Sequence, residues 1–130
     1  MRALLEQIKD STKNKFVTDY TVAENDVDKN NKLQLMVLFS LIEEALHAPK
    51  AIINSVATEY SKEIMNIDFK KLAEAVLDEK LDIEMRFYGI DNKTVELKAF
   101  IRTVSKTGKV KKVAKTSYIY KAVYIGKEAA

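Results

Sequence analysis

The sequence predicts an α+β domain in which one curved antiparallel sheet wraps a single long helix. Two observations in the 130-residue chain support this fold class. Residues 33–46, LQLMVLFSLIEEAL, are apolar on almost every face of a helix, whereas residues 81–125 alternate apolar and polar side chains in long segments. A helix without a polar face must be enclosed, and strands with one apolar face can enclose it. We expect residues 1–130 to form one such domain.

The apolar helix has clear predicted boundaries. At 14 residues, the segment 33–46 is too short to cross a bilayer. Asn30 and Asn31 are good N-cap residues, and Pro49 disfavours helix in the residue before it, so we expect the helix to end near His47. Glu43 lies on this apolar helix, and we expect its carboxylate either at a gap in the enclosure or in a functional site.

The segments before residue 81 are shorter and less regular. Patterning and residue type predict, in chain order, an arm or short amphipathic helix in residues 1–12, a strand at 16–22, a loop at 23–31, a short helical or irregular connection at 48–60, a strand at 64–69 and one or two helical turns at 70–77.

The C-terminal half predicts three long strands joined by turns. Leu81, Ile83, Met85 and Phe87 share one parity, and residues 95–102 repeat the pattern, so each strand should bury one face. Turns are predicted at residues 89–93 and 106–109. Residues 110–125 carry apolar side chains on both parities, so we expect parts of both faces of this last strand to be covered.

Composition excludes several functional classes. The chain has no cysteine and one histidine, which argues against disulfides, a thiolate or transition-metal site, and a Cys- or Ser-His-Asp hydrolase. No metal or cofactor is therefore expected. The N-terminus lacks the long apolar region of a secretory signal, so we expect a cytoplasmic protein without membrane attachment. A net charge of +3 and few aromatics interleaved with basic residues give no support for nucleic-acid binding.

The element order and one motif resemble hot-dog fold thioesterases, including acyl-CoA thioesterases. That family carries Asp-x-Asp-x-x-Gly-His, followed about eleven residues later by a Phe-Glu-Glu-Ala-like run in the central helix. Here the matching positions are Asp26 and Asp28, then residues 42–45, Ile-Glu-Glu-Ala. Asn31 and Lys32 stand where the family has the Gly-His pair. A sister group of that family carries an Asn and a Gly-Gly pair instead. In the alignment with that group, Asp28 occupies the position of the Asn, and Leu35 and Met36 occupy the positions of the two glycines. The resemblance covers roughly residues 16–125.

This resemblance implies an acyl-thioester hydrolase that acts on acyl-CoA or on an acyl-carrier thioester. The alternative is a non-catalytic hot-dog protein that binds an acyl group, CoA or a protein partner. A dehydratase of the same fold would need a histidine with an acid, and His47 lies at the wrong end of the helix. A sheet wrapped on one helix leaves an edge strand and the helix ends uncovered, so we expect a homodimer or a dimer of dimers.

The resemblance also implies site residues. Asp28 matches the catalytic acidic position and would act as nucleophile or base, although an Asp in such a loop can instead cap a turn. Glu43, if buried, would have its pKa raised by desolvation and could act as base or orient water; the alternative is a carboxylate at a dimer seam or a gap in the sheet. Backbone N–H groups at Asn31, Lys32 and Leu33 would bind the oxyanion.

A basic segment in the C-terminal half suggests a phosphate contact. Lys109, Lys111 and Lys112 could bind the phosphates of coenzyme A or of a phosphopantetheine carrier. The alternative is a solvated hairpin tip, because turns commonly carry lysine. His47 is expected to be structural, and the tyrosines at 118, 120 and 124 are expected to pack between strands.

Overall fold

Residues 1–105 and 107–125, which the computed structural model describes, form one five-stranded sheet with helices against one face. All neighbouring strands are antiparallel, in the order β1-β3-β4-β5-β2. The predicted α+β class with an antiparallel sheet is confirmed. The helices and strands, in chain order, are α1 (Leu4–Ser11), β1 (Lys15–Thr21), α2 (Leu35–Ala45), α3 (His47–Ser55), β2 (Tyr60–Lys71), β3 (Lys80–Asp91), β4 (Thr94–Val104) and β5 (Val110–Tyr124).

The core lies between the helices and the inner face of the sheet. As the period-two pattern predicts, alternate residues of β3 and β4 are at most 1% exposed: Leu81, Ile83, Met85, Phe87, Val95, Leu97, Ala99 and Ile101. Each of the larger side chains contributes roughly 1.5–3 kcal/mol through its burial. In β5, Thr116, Tyr120 and Ala122 are buried while Ile119 and Val123 are half-buried, which confirms that parts of both faces are covered.

Helix α2 is only partly enclosed. Leu38 and Ile42 are buried against the sheet, but Met36 is 79% exposed and Phe39 is 42% exposed. The prediction that the helix is enclosed on every side is therefore wrong for the single chain, because the sheet is wide enough to cover only one side of it. The uncovered side adjoins β2, where the rings of Phe39 and Phe69 meet edge to face at 4.9 Å.

Strand β2 is an open edge of the sheet, longer than the predicted 64–69. It pairs with β5 alone, and Ile64, Met65 and Ile67 are 45%, 58% and 58% exposed. Ile67 and Phe69 alternate onto the inner face, so Ile67 lies on the same side of the sheet as α2. Edge β2 and the uncovered side of α2 together form one apolar surface, which we call the α2–β2 face: Met36, Phe39, Ile64, Met65 and Ile67.

The predicted helical turns at residues 70–77 are absent. Lys70 and Lys71 complete β2, and the following residues run as an extended connection to β3. In this connection the Ala75 carbonyl accepts the Leu33 N–H at 2.8 Å, and Val76 forms a bridge with Lys32. Tertiary pairing overrides the helix propensity of this segment.

The central helix breaks once and then continues. Helix α2 ends at Ala45 and α3 begins at His47. Contrary to the prediction, Pro49 does not end the helical segment. Pro49 lies in the first turn of α3, where a missing N–H leaves no hydrogen bond unmade. The helical connection expected in residues 48–60 is confirmed. Among the helices of the described residues, none has the length and apolar character that crossing a membrane requires.

The predicted N-terminal helix packs beside the turn between β3 and β4. Leu4 and Ile8 of α1 are fully buried, and the Leu4 N–H donates to the Asn92 carbonyl at 2.8 Å. A Cβ at Gly89 would lie 3.0 Å from Leu5 Cδ2, so glycine permits the close approach of α1 to β3. Strand β3 extends to Asp91, which shortens the turn predicted at 89–93. Of the turn predicted at 106–109, Lys106 lies outside the described residues, and Gly108 has a left-handed φ of 82°.

Candidate active site

Asp28 lies in a tight turn just before α2. Its carboxylate Oδ1 accepts the backbone N–H groups of Asn30 at 2.8 Å and Lys32 at 3.1 Å, and its own N–H donates to the Lys32 carbonyl at 2.8 Å. Asn31 adopts a left-handed φ of 62°, which asparagine tolerates better than most residues. The turn therefore fixes the Asp28 side chain, and Oδ2 makes no hydrogen bond within the described residues.

The same contacts keep Asp28 ionised. The N–H of Lys32 holds the pKa of Asp28 below its ordinary value, and the N–H of Asn30 and the charges of Lys32 and Lys71 act in the same direction. Desolvation, which is second in size to the Lys32 hydrogen bond, raises the pKa and opposes them. The carboxylate is exposed and carries its charge throughout the neutral range. Asp28 thus caps a turn, as the alternative interpretation of the sequence has it, and also presents a free anionic oxygen to solvent.

A pH profile follows from this lowered pKa. If Asp28 is the base or nucleophile, we expect kcat/KM to stay level through neutral pH and to fall only below the ordinary value of 3.8. The folded-state pKa lies below the unfolded one, so ionised Asp28 favours folding above that pH and this contribution is lost as pH falls through the lowered pKa. Thiol release measured against pH checks this. An acidic limb near pH ~6 would assign the base to another group.

The three N–H groups predicted to bind an oxyanion are already engaged. The N–H of Asn31 donates to the Asp28 carbonyl at 3.0 Å, that of Lys32 to the Asp28 carboxylate, and that of Leu33 to the Ala75 carbonyl at 2.8 Å. In the single chain these three N–H groups are therefore not free to donate to an oxyanion. The turn itself engages the N–H groups of Asn31 and Lys32, and the connection between β2 and β3 engages that of Leu33.

Free donors occur two residues later, at the first turn of α2. Neither Leu35 nor Met36 donates its N–H to any described residue, and both residues are exposed. Gln34 anchors the helix start because its N–H donates to the Asp26 carbonyl at 2.9 Å. The positive end of α2 thus opens onto solvent a few residues beyond Asp28.

Glu43 lies on the exposed side of α2 rather than in the core. It lines a shallow groove of about 470 Å³ with Phe39, Ser40, Glu44 and His47. None of the ion pairs among the described residues includes Glu43. The condition of burial, on which its predicted role depended, is not met in the single chain. Glu43 lies about 12 Å along the helix from Leu35, so one chain does not bring it to the first turn of α2.

The lysines of the β4–β5 hairpin lie at the same end of the sheet as Asp28. Lys111 Nζ contacts Glu79 Oε1 at 3.0 Å, and Glu79 Oε1 also accepts the Val76 N–H at 2.8 Å. Val76 forms the bridge with Lys32, in the turn of Asp28. Lys109 and Lys112 are exposed, as expected of a hairpin tip. Lys111 is partly neutralised by Glu79, whereas Lys109 and Lys112 form no ion pair within the described residues.

One contact near the site was missed in the sequence. The Tyr20 hydroxyl donates to Asp26 Oδ2, which also accepts the Ala23 N–H at 2.8 Å. This hydrogen bond raises the pKa of Tyr20, and burial and the negative charges of Asp26 and Glu44 add to the shift. The hydrogen bond between Tyr20 and Asp26 holds the loop before α2 against β1. The six-residue spacing of Tyr20 and Asp26 across a predicted strand end was the available signal.

The fold is similar to solved structures of thioesterases. A 4-hydroxybenzoyl-CoA thioesterase from Pseudomonas sp. superposes with a TM-score of 0.64 at 13% identity, over 84% of this chain and 84% of that chain. A mutant acyl-CoA hydrolase from Staphylococcus aureus gives 0.66 at 13% identity, over 91% and 68%. A Streptococcus mutans protein bound to acetyl-CoA gives 0.59 at 13% identity, over 85% and 82%.

No protein-family model and no curated protein matches the sequence. The structural likeness is nevertheless spread over most of the chain and over the neighbours' chains alike. It is accompanied by the strand order β1-β3-β4-β5-β2 and by a helix between β1 and β2 that packs on the sheet. The chain therefore has the hot-dog fold.

Proposed function

We propose that the protein is an acyl-thioester hydrolase that acts on acyl-CoA or an acyl-carrier thioester, with Asp28 as nucleophile or general base. The observation that carries the proposal is that the loop leading into α2 holds the ionised carboxylate of Asp28 and is followed by free N–H groups at the first turn of the helix. Thioester cleavage needs such a pair, a base or nucleophile and an oxyanion donor. Among the proteins of this fold, the neighbours named above include two CoA thioesterases or hydrolases and one complex with acetyl-CoA.

The chemistry assigned to these groups is simple. The thioester carbonyl oxygen would accept N–H groups of Leu35 and Met36, where the helix dipole favours the developing negative charge. Asp28 Oδ2 would then attack the carbonyl carbon or remove a proton from an attacking water. Collapse of the tetrahedral intermediate breaks the C–S bond and releases the thiolate. If Asp28 attacks directly, water hydrolyses the resulting anhydride in a second step.

We propose that two copies of the chain pair through the α2–β2 face. This surface joins an open strand edge to exposed apolar side chains of a helix and a strand, a combination that a second copy can cover. If β2 pairs with its own copy about a two-fold axis, the antiparallel register places Lys71 of one chain near the start of β2 in the other. Lys71 lies close enough to Asp28 to lower the pKa of its carboxyl. The proposed site at Asp28 would then adjoin the partner chain.

We propose that the lysines of the β4–β5 hairpin bind phosphate groups of the substrate. Lys109, Lys111 and Lys112 lie at the Asp28 end of the sheet, so they would meet the phosphates of coenzyme A or of a carrier arm. Lys111 is held by Glu79, which leaves Lys109 and Lys112 as the more available cations.

Glu43 gives a separate prediction. Because Glu43 is exposed and has no ion pair in the described residues, Glu43→Gln should change the free energy of unfolding by no more than about 0.5 kcal/mol. If the carboxylate orients water in the paired form of the protein, turnover should fall by about tenfold or more. Thermal melts and thiol release on this variant check both parts. Full turnover in the variant would remove Glu43 from the site.

The second candidate function is an acyl- or CoA-binding protein without catalysis. The engagement of the Asn31, Lys32 and Leu33 N–H groups within the turn favours it, because fewer donors remain for an oxyanion. Purified protein and a panel of acyl-CoA esters of different chain length separate the two functions. The hydrolase releases free thiol with saturation kinetics from at least one ester, whereas the binding protein retains the intact thioester.

A further inference from the structure

A cleft of about 980 Å³ opens at the opposite end of β1 from Asp28. Helix α1 forms one wall with Leu5 and Lys9, the segment 12–17 a second, and residues 86–89 of β3 the floor. Seven residues of β1 separate its rim at Lys15 from the end near the active site, a distance of about 20 Å. The cleft is therefore separate from the site of the proposed hydrolase, and a ligand could bind there whether or not Asp28 is catalytic.

The cleft exists because one asparagine ends the β1–β3 ladder. Asn14 is buried and has a left-handed φ of 59°. Its side-chain oxygen accepts the Phe87 N–H at 3.0 Å, and its side-chain NH₂ donates to the Phe87 carbonyl at 2.9 Å. The backbone pairing stops at Lys15 and Arg86, whereas β3 continues to Asp91. Backbone N–H groups alternate between the two edges of a strand, so the Gly89 N–H points to the same edge of β3 as the Phe87 N–H. At Gly89 the neighbouring strand β1 is no longer present on that edge.

The lining is cationic, and of its cations Lys15 alone forms an ion pair within the described residues, with Glu84 at 3.3 Å. Its charged side chains are Lys9, Lys13, Lys15 and Arg86, and no acidic residue lines it. Arg86 lies between two lysines, directly opposite Lys15 in β1 and Lys98 in β4. Like charges directly opposite each other in a sheet are destabilising. Ion pairs with Glu84 at 3.3 Å and Glu96 at 3.9 Å offset this for the two lysines but leave Arg86 unpaired within the described residues.

Arg86 has no anionic partner in the described part of the chain. Its Nε is buried without a hydrogen bond, a costly condition for a charged group. Two acids of the same sheet are engaged by other groups: Glu84 contacts Lys15 at 3.3 Å, and Glu96 accepts from Ser117 and contacts Lys98 at 3.9 Å. The cleft is therefore lined by three cations, Lys9, Lys13 and Arg86, that form no ion pair within the described residues.

We propose that this cleft is a second ligand site, which binds a phosphate-bearing small molecule. Phosphate oxygens would accept the Arg86 guanidinium and the Gly89 N–H, and the lysines at the rim would neutralise the remaining charge. The volume suits a molecule of nucleotide size. Tyr88 is 40% exposed and Leu5 is half-buried, so an apolar or planar part of the ligand has a surface to contact.

The test is titration of isotope-labelled protein with pyrophosphate and, separately, with ADP, followed by backbone amide shifts. We expect saturable binding in the wild type, with the Gly89 and Leu5 amides among those that shift. Tighter binding of ADP than of pyrophosphate would place the nucleoside on the Tyr88 side, and equal binding would mean that the site recognises phosphate alone. Arg86→Gln should weaken binding by about tenfold or more.

Two further variants keep the experiment decisive. Lys13→Gln, at an exposed loop position, should weaken binding severalfold even if Arg86→Gln folds poorly. Lys50→Gln is the matched control, an exposed lysine of α3 outside the cleft, and should bind as the wild type does. The proposal is overturned if neither probe saturates, if Lys50→Gln weakens binding as much as the cleft variants do, or if shifts occur only around residues 30–32.

Discussion

Replacement of Asp28 by asparagine is expected to lower acyl-thioester turnover by about a hundredfold or more while the fold is retained. Asparagine keeps an oxygen that can accept the N–H groups of Asn30 and Lys32, so the turn before α2 should survive. It removes the negative charge, and with it the nucleophile or base. The measurement is thiol release under saturating and limiting substrate, together with a thermal melt.

A second aspartate near the same end of the sheet provides the control. Asp78 is exposed, has a left-handed φ of 69° that asparagine also tolerates, and joins no ion pair in the described residues. Asp78→Asn should therefore keep full turnover. Equal rates in the wild type and in Asp28→Asn would exclude Asp28 as the catalytic group, whatever the control shows.

Replacement of Ile67 by lysine is expected to convert a dimer into a monomer at micromolar concentration and to lower turnover by about tenfold or more. Ile67 is 58% exposed on the inner face of β2, in the α2–β2 face, where the proposed pairing would bury it. A buried lysine without a partner is strongly unfavourable in an interface, whereas in the monomer it remains solvated. Light scattering and thiol release at matched concentrations measure the two effects.

Ile90→Lys is the matched control for this change. Ile90 is also an exposed isoleucine on a strand, 53% exposed in β3, but it lies outside the α2–β2 face. Its replacement should leave both mass and turnover unaltered. The pairing proposal fails if the wild type is a monomer at these concentrations, or if Ile67→Lys remains a dimer with full turnover.

Much of this fold could be predicted from local sequence pattern. Strands β3 and β4 alternate strictly because one face packs on the core, and that alternation is visible in the residues themselves. The extended segment at 70–77 could not be found in this way. Its residues favour a helix, and only the hydrogen bond from Leu33 to Ala75 and the bridge between Lys32 and Val76 hold it extended.

The geometry of the candidate site could be predicted only where it depends on local sequence. Asp28 and the left-handed Asn31 follow from turn chemistry, which is local. The exposure of Glu43 could not be read from an apolar helix, because enclosure depends on the width of the sheet, which the local residue pattern does not reveal. The N–H of Leu33 likewise depends on a contact with Ala75, about 40 residues away, whereas those of Asn31 and Lys32 are engaged locally by Asp28.

The most direct test of the central proposal is a crystal structure of the Asp28→Asn variant with an unhydrolysed acyl-CoA. The proposal predicts that the thioester carbon lies roughly 3–3.5 Å from the side chain of residue 28, or is bridged to it by one water, with the carbonyl oxygen toward the N–H groups of Leu35 and Met36. A thioester bound away from the first turn of α2 would contradict it.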